Sequence, residues 1–321
     1  MTLRLFVTGA TGQVAGALTE AGPRRGLAVT AIGRPALDLE TADADAVTRL
    51  IEASGADVVV SAAAYTAVDR AESEPDRAFG INRDGAAAVA RAAARLGLPL
   101  LHLSTDYVFD GTKPEPYRES DPTAPLGVYG RSKRDGELAV LEAHPSALVL
   151  RTAWVYGPTG ANFLRTMLRL AGERERLRVV DDQIGNPTSA LDIAEALIDL
   201  ALKATAPADT PAIGAGAPNR ALSPAMGGIF HMTAAGETSW CGFARAIMAG
   251  SAARGARAVP VDAIGTADYP TPARRPANSR LDCSRLAEHW AVRLPDWRHG
   301  LGTVLDRLLP PLSSKETRSP S

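Results

Sequence analysis

The stretch LRLFVTGATGQVAG, residues 3–16, joins a short apolar run to a glycine-rich turn and the start of a helix. Gly9 permits a tight turn after the strand, and Gly12 leaves room for the backbone to approach a pyrophosphate. The free amides at the N-terminus of the helix would face that anion. Ala15, with Gly16 beside it, occupies the third small position. Because any tight strand-to-helix turn favours glycine, its place at the first such junction is what indicates a dinucleotide site.

Short apolar runs alternate with alanine-rich helical stretches through the first half of the chain. The predicted strands are Leu3–Val7, Ala28–Ile32, Asp57–Ala62, Pro99–Ser104 and Ala147–Arg151. The predicted helices are Gln13–Ala21, Ala42–Ser54, Glu74–Leu96 and Gly130–Ala143. This rhythm predicts an α/β protein with a doubly wound parallel sheet of the Rossmann type, covered by helices on both faces.

After about Pro158 the rhythm loosens, which predicts a smaller substrate-binding domain. The elements predicted there are the helices Phe163–Ala171, Ser189–Ala204 and Trp240–Ala249 and the strand Ile229–Met232. Thr205–Gly228 is predicted to be a surface insertion and Tyr269–Asn278 an irregular loop. We therefore expect residues 1–157 to be mainly the nucleotide-binding domain. Residues 158–309 would be mainly the substrate-binding portion, with some return to the first domain, and residues 310–321 a disordered tail.

Composition excludes several classes of protein. A net charge of -1 over 321 residues gives no electrostatic case for nucleic acid or an anionic membrane as the main partner. The chain enters a strand directly, without a secretory signal, and no stretch approaches the ~20 apolar residues of a membrane span. Cys241 and Cys283 are far apart and the five histidines are scattered, so neither a disulfide framework nor a metal site is predicted. The expected location is cytoplasmic.

An arginine follows the second predicted strand. About 20 residues beyond the glycine turn, where many NAD-binding proteins carry an acid for the ribose hydroxyls, this sequence has Gly33-Arg34. A guanidinium there can pair with the 2′-phosphate of NADPH, and a solvated arginine at a strand end is the equal alternative. Asp38 and Leu39 come slightly later and could line the adenine. The sequence favours NADPH and leaves NADH open.

Tyr129 and Lys133 are four residues apart in a predicted helix, so their side chains project from the same face. A free phenol has a pKa of about 10, and a nearby ammonium and a positive nicotinamide would stabilise its phenolate. Bringing the pKa near 7 takes about 4 kcal/mol. Tyr129 could then give its proton to a carbonyl oxygen as hydride reaches the carbon. Alone, this spacing also fits an exposed amphipathic helix.

Ser104, Thr105 and Asp106 follow one another at the carboxyl end of a predicted strand, the edge at which open α/β sheets bind ligands. The Thr105 hydroxyl could donate to the reacting oxygen and fix its orientation, and the alternative is a hydroxyl that only forms a turn. Together with the glycine turn and the Tyr-Lys pair, this position predicts a nicotinamide-dependent ketone reductase.

Longer runs carry a more specific signal. They are AAAYTAVD (62–69), STDYVFDG (104–111), YGRSK (129–133), LRTAWVYG (150–157), DDQIGNPT (181–188), GETSW (236–240) and YPTPARRPANSRLD (269–282). Through these runs, which extend over nearly the whole chain, the sequence resembles the dTDP-4-dehydrorhamnose reductases, a branch of the extended short-chain dehydrogenase/reductases. The resemblance implies reduction of the C4 ketone of dTDP-4-dehydro-β-L-rhamnose to dTDP-β-L-rhamnose, the last step in the synthesis of that sugar donor.

The resemblance, taken with the glycine turn and the arginine after the second strand, implies a set of site residues. The expected cofactor contacts are Gly9, Gly12, Gln13, Val14, Arg34, Asp38, Leu39, Ala62, Ala63, Ala64, Tyr65, Tyr129 and Lys133. The expected catalytic residues are Tyr129 as proton donor, Lys133 as its partner, and Thr105. The expected substrate contacts are Thr105, Asp106, Trp154, Arg274 and Arg275.

Some of these assignments have ordinary structural alternatives. The Trp154 ring could instead belong to the core, and Arg274-Arg275 could be a solvated basic loop rather than a diphosphate site. Some family members carry acidic residues for Mg²⁺ between subunits. Ala17 and Leu191 stand at two such positions and cannot coordinate a hard cation, so an Mg²⁺-dependent dimer is doubtful, while a homodimer stays possible. The competing functions are another sugar-nucleotide reductase or epimerase, and a non-catalytic regulatory subunit.

Overall fold

The computed structural model describes residues 2–206 and 226–309. Its strands are β1 Arg4–Thr8, β2 Ala28–Ile32, β3 Val58–Ser61, β4 Leu100–Thr105, β5 Leu148–Thr152, β6 Val155–Tyr156, β7 Leu177–Val180, β8 Ile184–Gly185, β9 Thr188–Ser189, β10 Gly228–His231, β11 Thr238–Ser239 and β12 Val261–Ile264. Its α-helices are α1 Gln13–Arg24, α2 Ala44–Ser54, α3 Val68–Ala71, α4 Pro75–Phe79, α5 Ala86–Arg95, α6 Val128–Ala143, α7 Phe163–Glu173, α8 Ala190–Ala204, α9 Trp240–Ala252, α10 Ser284–Trp290 and α11 Trp297–Leu308.

Six strands form one parallel sheet in the order β10-β5-β4-β3-β1-β2. The chain runs outward from β1 to β2 and then in the opposite direction through β3, so the strand order reverses between β1 and β3. Ligands of doubly wound sheets bind beyond the carboxyl ends of the strands at this point. The Thr8 hydroxyl joins the two strand ends there, because it accepts hydrogen bonds from the amides of Ala62 and Ala63, each at 3.0 Å. The expectation of a Rossmann-type sheet is confirmed.

Each face of the sheet is covered by helices, as the continuous apolar character of the strands requires. Successive side chains of a strand point to opposite faces, and in β1 Leu5 and Val7 enter one core cluster while Phe6 enters the other. The first cluster includes α1, α8 and α10, and the second includes α2, α5 and part of α6. A third cluster is formed largely by α7, α9 and α11 in the later part of the chain.

The helix predicted over Glu74–Leu96 is interrupted. α4 and α5 are joined by a π-helical turn, Gly80–Gly85, in which Asn82 is buried. The Asn82 amide group donates to the Tyr65 carbonyl and to the Ser132 hydroxyl, while its Oδ1 accepts from the Tyr65 amide at 2.8 Å. Gly136 on α6 lies so close that a side chain there would collide with the Asn82 carbonyl. Tertiary packing therefore widens this turn, which helical periodicity alone does not predict.

The later part of the chain adds three small strand pairs: β6 with β9, β7 with β12, and β8 with β11. The predicted strand Ile229–Met232 is β10, which returns to the edge of the main sheet. Most of the predicted insertion, residues 207–225, and the predicted tail, residues 310–321, lie outside the described residues. Within the described ranges, no helix is both long and apolar enough to cross a membrane.

Candidate active site

A cleft of about 740 Å³ opens at the carboxyl ends of the sheet strands. Its lining includes the glycine turn after β1, the ends of β2, β3, β4 and β5, and the first two turns of α6. Trp154 and Trp240 line it as well. The cleft therefore lies where the reversal of strand order predicts a ligand.

The glycine turn leaves room for a ligand to approach its backbone closely. Gly9 has φ +96°, its amide donates to the Ile32 carbonyl at 2.7 Å, and a Cβ there would lie 3.2 Å from that of Ala63. Gly12 precedes α1 without a side-chain cap, so amides at the start of that helix are free for a ligand. A Cβ on Gly12 would meet only the Gly9 carbonyl at 3.6 Å, so its small size leaves space in the cleft rather than relieving an internal clash. These features fit a bound pyrophosphate.

The structure brings nearly all of the expected cofactor residues to this cleft. Those that line it are Gly9, Gly12, Gln13, Val14, Arg34, Asp38, Leu39, Ala62, Ala63, Ala64, Tyr129 and Lys133. Tyr65 is absent from the lining. Its side chain is buried and its hydroxyl donates to Glu74 at 2.7 Å, so it supports the wall to which Thr66 and Val68 contribute.

Three expected catalytic residues meet at the junction of β4 and α6. Thr105 ends β4, Tyr129 lies in the first turn of α6, and Lys133 follows one turn later. All three are buried and line the cleft. The Lys133 ammonium donates to the Leu103 carbonyl at 2.8 Å, and burial lowers the pKa of this lysine to about 8, opposed by the charge of Glu137. The helix spacing alone did not indicate this burial.

The expected lowering of the phenol pKa depends on the positive charge of a bound nicotinamide and stays a prediction, while the protein's own groups shift the pKa of Tyr129 upward. Burial raises the pKa of Tyr129 to about 12, and the Thr105 hydroxyl opposes this only in part. The physical reason is desolvation: taking a phenol out of water disfavours the phenolate, and the nearby carboxyl of Asp106 acts in the same direction. Tyr129 is therefore a neutral phenol at pH 7, which is the form able to donate a proton.

Asp106 has a buried carboxyl group beside the cleft. Thr105 donates to its Oδ1 at 2.9 Å and the Ser279 hydroxyl lies close to the carboxyl, whereas Oδ2 is buried and has no partner within 3.5 Å in residues 2–206 and 226–309. Burial raises the pKa of Asp106 to about 6, opposed chiefly by the hydroxyls of Ser279 and Thr105. A buried oxygen of this kind is costly unless it accepts a hydrogen bond, and a ligand hydroxyl in the cleft would supply one.

A buried ion pair, which sequence reasoning missed, fixes α6 against the sheet. Glu137 lies one turn beyond Lys133 and accepts two hydrogen bonds from Arg151 of β5, at 2.8 and 2.7 Å. The Ser104 hydroxyl of β4 donates to the same carboxylate at 2.6 Å. Both charged side chains are 2% exposed. This network ties the helix carrying Tyr129 and Lys133 to the ends of two strands.

Two stacked indoles contribute to the lining of the cleft. The rings of Trp154 and Trp240 lie 3.6 Å apart at an interplanar angle of 5°, and both line the cleft. Trp154 adopts φ +48°, which is rare for a residue with a side chain. Trp154 is thus placed at the cleft, whereas sequence reasoning did not assign Trp240. The run GETSW, which ends at Trp240, is the feature of the sequence that could have identified this residue.

Comparisons with known proteins agree with this geometry. Residues 3–309 match the family model described as the RmlD substrate binding domain. The chain is 47% identical to the dTDP-4-dehydrorhamnose reductase of Sinorhizobium fredii, covering 96% of this chain and 98% of that one. This chain belongs to the dTDP-4-dehydrorhamnose reductase family.

Other members of the reductase family are similar over the same length. The enzyme of that name from Burkholderia thailandensis is 44% identical, covering 96% of this chain and 99% of its own. A crystal structure of the Bacillus anthracis reductase in complex with NADP is 32% identical, with a TM-score of 0.83, covering 95% of this chain and 99% of that one. A Thermus thermophilus UDP-glucose 4-epimerase is 21% identical with a TM-score of 0.73, covering 97% and 100% of the two chains, and this likeness concerns the fold alone.

Two expected substrate residues of this reductase-family chain do not line the cleft. Arg274 is exposed, and Arg275 donates to Asp69 at 2.8 Å with its guanidinium 5.9 Å from the centre of the Tyr107 ring. Tyr107 itself lines the cleft, so Arg275 packs behind that wall. An arginine pair has the chemistry to bind phosphate, but the two residue types do not determine which way their loop faces.

The structure also shows the surroundings of the two positions considered for Mg²⁺. Ala17 is buried in the first core cluster and Leu191 packs against it. In residues 2–206 and 226–309, no group of three or more histidine, cysteine, aspartate or glutamate side chains is arranged to hold a metal ion.

Proposed function

We propose that this chain reduces the C4 ketone of dTDP-4-dehydro-β-L-rhamnose to dTDP-β-L-rhamnose with NADPH or NADH. One observation carries the proposal: in a member of this reductase family, Thr105, Tyr129 and Lys133 meet in the same cleft as the glycine cradle. A binding module would have no chemical need for a phenol, a hydroxyl and an ammonium held together beside a nucleotide site.

The nicotinamide cofactor, when bound, supplies the hydride. Tyr129 holds the proton on its hydroxyl, since its pKa of about 12 keeps it neutral at pH 7, and donates it to the ketone oxygen. The Thr105 hydroxyl would orient that oxygen. The buried Lys133 ammonium would stabilise the tyrosinate that remains, since opposite charges attract strongly in a site shielded from water.

We propose that the cofactor binds to the residues that line the cleft around the glycine turn and the end of β2. Amides at the N-terminus of α1 would hold the pyrophosphate, and Asp38 and Leu39 would lie near the adenosine. Arg34, in the same wall, would pair with the 2′-phosphate of NADPH. The NADP complex of the Bacillus anthracis relative supports this choice, with NADH retained as the alternative.

The substrate would be a dTDP-sugar bound beside the catalytic residues and Trp154. Thr105, Asp106 and Trp154 are the proposed contacts with the sugar, and the free Asp106 oxygen would accept from a sugar hydroxyl. Arg275 would act by holding the wall at Tyr107. Residues 1–157 would form most of the cofactor domain and residues 158–309 most of the substrate domain. We also infer a cytoplasmic location, which a nucleotide cofactor and a nucleotide-activated sugar support.

A coupled assay tests the function directly. Freshly generated dTDP-4-dehydro-β-L-rhamnose is supplied with NADPH or NADH, and the product sugar is identified while cofactor oxidation is followed. We expect one cofactor consumed per dTDP-β-L-rhamnose formed. An epimerase that retains its cofactor would change the sugar without net oxidation, and a regulatory subunit would do neither. Either result would reject the proposal.

Replacing the proton donor separates chemistry from binding. Tyr129→Phe removes the transferable proton and keeps the ring, so we expect turnover to fall by about 10²-fold or more. Cofactor affinity, measured by quenching of protein fluorescence, should remain close to that of the wild type. Wild-type turnover in this variant would exclude Tyr129 as the donor.

A further inference from the structure

Two sequence runs of the family, DDQIGNPT and GETSW, have no role in the chemistry above, yet the structure brings them together around one side chain. β8 (Ile184–Gly185) lies in the first run and β11 (Thr238–Ser239) in the second, and they pair antiparallel with Thr238 opposite Gly185. Trp154 contacts both segments.

Gly185 makes room for the edge of the Trp154 ring. A Cβ at Gly185 would lie 2.5 Å from Cε2, 2.7 Å from Nε1 and 2.8 Å from Cζ2 of that indole. Real Cβ atoms do not approach other atoms so closely, so any side chain here would displace the ring. The glycine is therefore required by Trp154 and not by its own backbone conformation, because it is not among the glycines with positive φ.

Trp240 covers one face of the same ring. The two indoles stack at 3.6 Å and Gly185 packs against one edge, so the opposite face of Trp154 is the face that remains for a ligand. Trp240 is itself fixed, since it begins α9, directly after the N-cap Ser239, whose hydroxyl accepts from the Gly242 amide at 2.9 Å and donates to Asp181. The Phe163 ring packs on Trp240 with centroids 4.5 Å apart.

The backbone of Trp154 needs this support. Its φ of +48° is a strained conformation for a tryptophan, and such conformations persist where the surroundings enforce them. Neither neighbour of Trp154 in the run LRTAWVYG is a glycine that could relieve the turn. The Trp154 carbonyl accepts from the Thr188 amide at 3.2 Å, and the Gly185 edge and the Trp240 face hold the indole.

We infer that Trp240, with Gly185, is a positioning residue that sets the orientation of Trp154 and thereby the affinity for the sugar end of the substrate. This inference rests on the proposed function, because Trp154 is a proposed substrate contact. Trp240 acts through Trp154, and the residue pairing of β8 with β11 sets Gly185 and Trp240 at the correct separation. The occupant of the remaining indole face would be the sugar ring of the dTDP-sugar.

Two substitutions test the role of the stacked ring. Trp240→Leu removes the flat aromatic face, while Trp240→Phe keeps a ring able to stack. We expect Trp240→Leu to raise KM for the sugar nucleotide about tenfold, with KM for NADPH nearly unchanged, and Trp240→Phe to recover most of the loss. Trp290→Phe is the matched control, since Trp290 is buried in the first core cluster, away from the cleft lining.

A purely structural role predicts a different result. Trp240→Leu would then lower the active fraction and Tm, with both KM values unchanged, and this outcome would overturn the inference. Equal increases in both KM values would overturn it as well, because the effect would not be specific to the sugar end.

A fluorescence measurement keeps this test independent of turnover. The emission of Trp154 is obtained as the difference between Trp240→Leu and the double variant Trp154→Phe/Trp240→Leu, and its quenching by acrylamide is measured. The matched pair with Trp240→Phe gives the reference value. We expect Trp154 to be quenched more steeply in the leucine pair because its ring is released. Equal quenching in the two pairs would reject the positioning role of Trp240 even if the wild-type assay succeeds. Failure of the wild-type assay alone would reject the proposed function.

Discussion

The Lys133 ammonium is held in the wall of the cleft with only 3% of the residue exposed. Burial lowers its pKa from 10.5 to about 8, since an ammonium removed from water loses solvation that one carbonyl partner only partly replaces. Because the unfolded chain binds this proton more tightly, stability rises with pH between about 8 and 10.5. Below about pH 8 the fold bears the full cost of the charged group.

Lys133→Met should therefore stabilise the fold while removing activity. At about 1.4 kcal/mol per pKa unit, and allowing for the lost hydrogen bond to Leu103, we expect the free energy of unfolding at pH 7 to rise by on the order of 1–3 kcal/mol. Urea unfolding measures this, and the gain over the wild type should shrink from pH 8 to pH 10.5. Lys203→Met is the control, since Lys203 also donates to backbone carbonyls but is exposed. A destabilised Lys133→Met protein would contradict the argument.

Single residues also mark the limit of what the sequence predicts. The spacing of Tyr129 and Lys133 was sufficient to bring them together, because a helix fixes neighbours four apart. The direction of the Tyr129 pKa was not predictable, because it depends on burial by distant segments. The environment of Arg275 is likewise decided by a contact with Asp69, more than 200 residues away in the chain.

At the scale of elements, a hydrogen bond joins the segment after β6 to the start of α1. The Asn162 side chain donates to Gln13 Oε1 at 2.9 Å and to the Gly157 carbonyl at 2.9 Å, while its Oδ1 caps α7 by accepting from the Arg165 amide. Gly160, in the same segment, lines the cleft beside Gln13. This arrangement holds residues 157–162 next to the glycine turn.

Asn162→Ser should loosen that segment without ending the helix. Serine is also a good N-cap, so α7 keeps its start, but the donor to Gln13 is lost. A hydrogen bond of about 1 kcal/mol corresponds to roughly a fivefold increase in KM for NADPH, and we expect little change in Tm. Steady-state kinetics with varied NADPH measures this. Asp43→Ser, which changes the N-cap of α2 outside the cleft lining, should leave that KM unchanged. Identical effects of the two variants would assign the result to capping in general.

The length of an element and the distance between its parts in the sequence determine whether it could be predicted. All six strands of the main sheet were predicted to within one residue at each end, because short apolar runs bounded by turn residues are distinctive. Two-residue strands such as β8 and β11 carry no periodic signal, and their pairing depends on segments about 50 residues apart. The cofactor cradle was predictable because it is local in sequence. The Trp154–Trp240 stack was not, because its parts come from two separate segments.

At the scale of the whole molecule, the cofactor and substrate portions of the chain share a hydrophobic core cluster. α8 and β10 come from the later part of the chain, yet α8 covers α1 and β10 pairs with β5 at the edge of the main sheet. Ile193 and Leu197 of α8 are fully buried in the cluster that contains Leu18 of α1. The first 157 residues therefore lack α8 and α10, which complete the cover that α1 begins on one face of the sheet.

A fragment of residues 1–157 should consequently fail to fold by itself. Exposing a few large apolar side chains costs about 1.5–3 kcal/mol each, which is comparable with the total stability of a domain. We expect no cooperative thermal transition by circular dichroism, binding of a dye that reports exposed apolar surface, and no measurable affinity for NADPH. A chain shortened only to residue 309 keeps every element described above and should melt cooperatively and bind NADPH. A fragment that melted in one sharp transition and bound NADPH as tightly as the full chain would show that the returning segments are not needed for the cofactor fold.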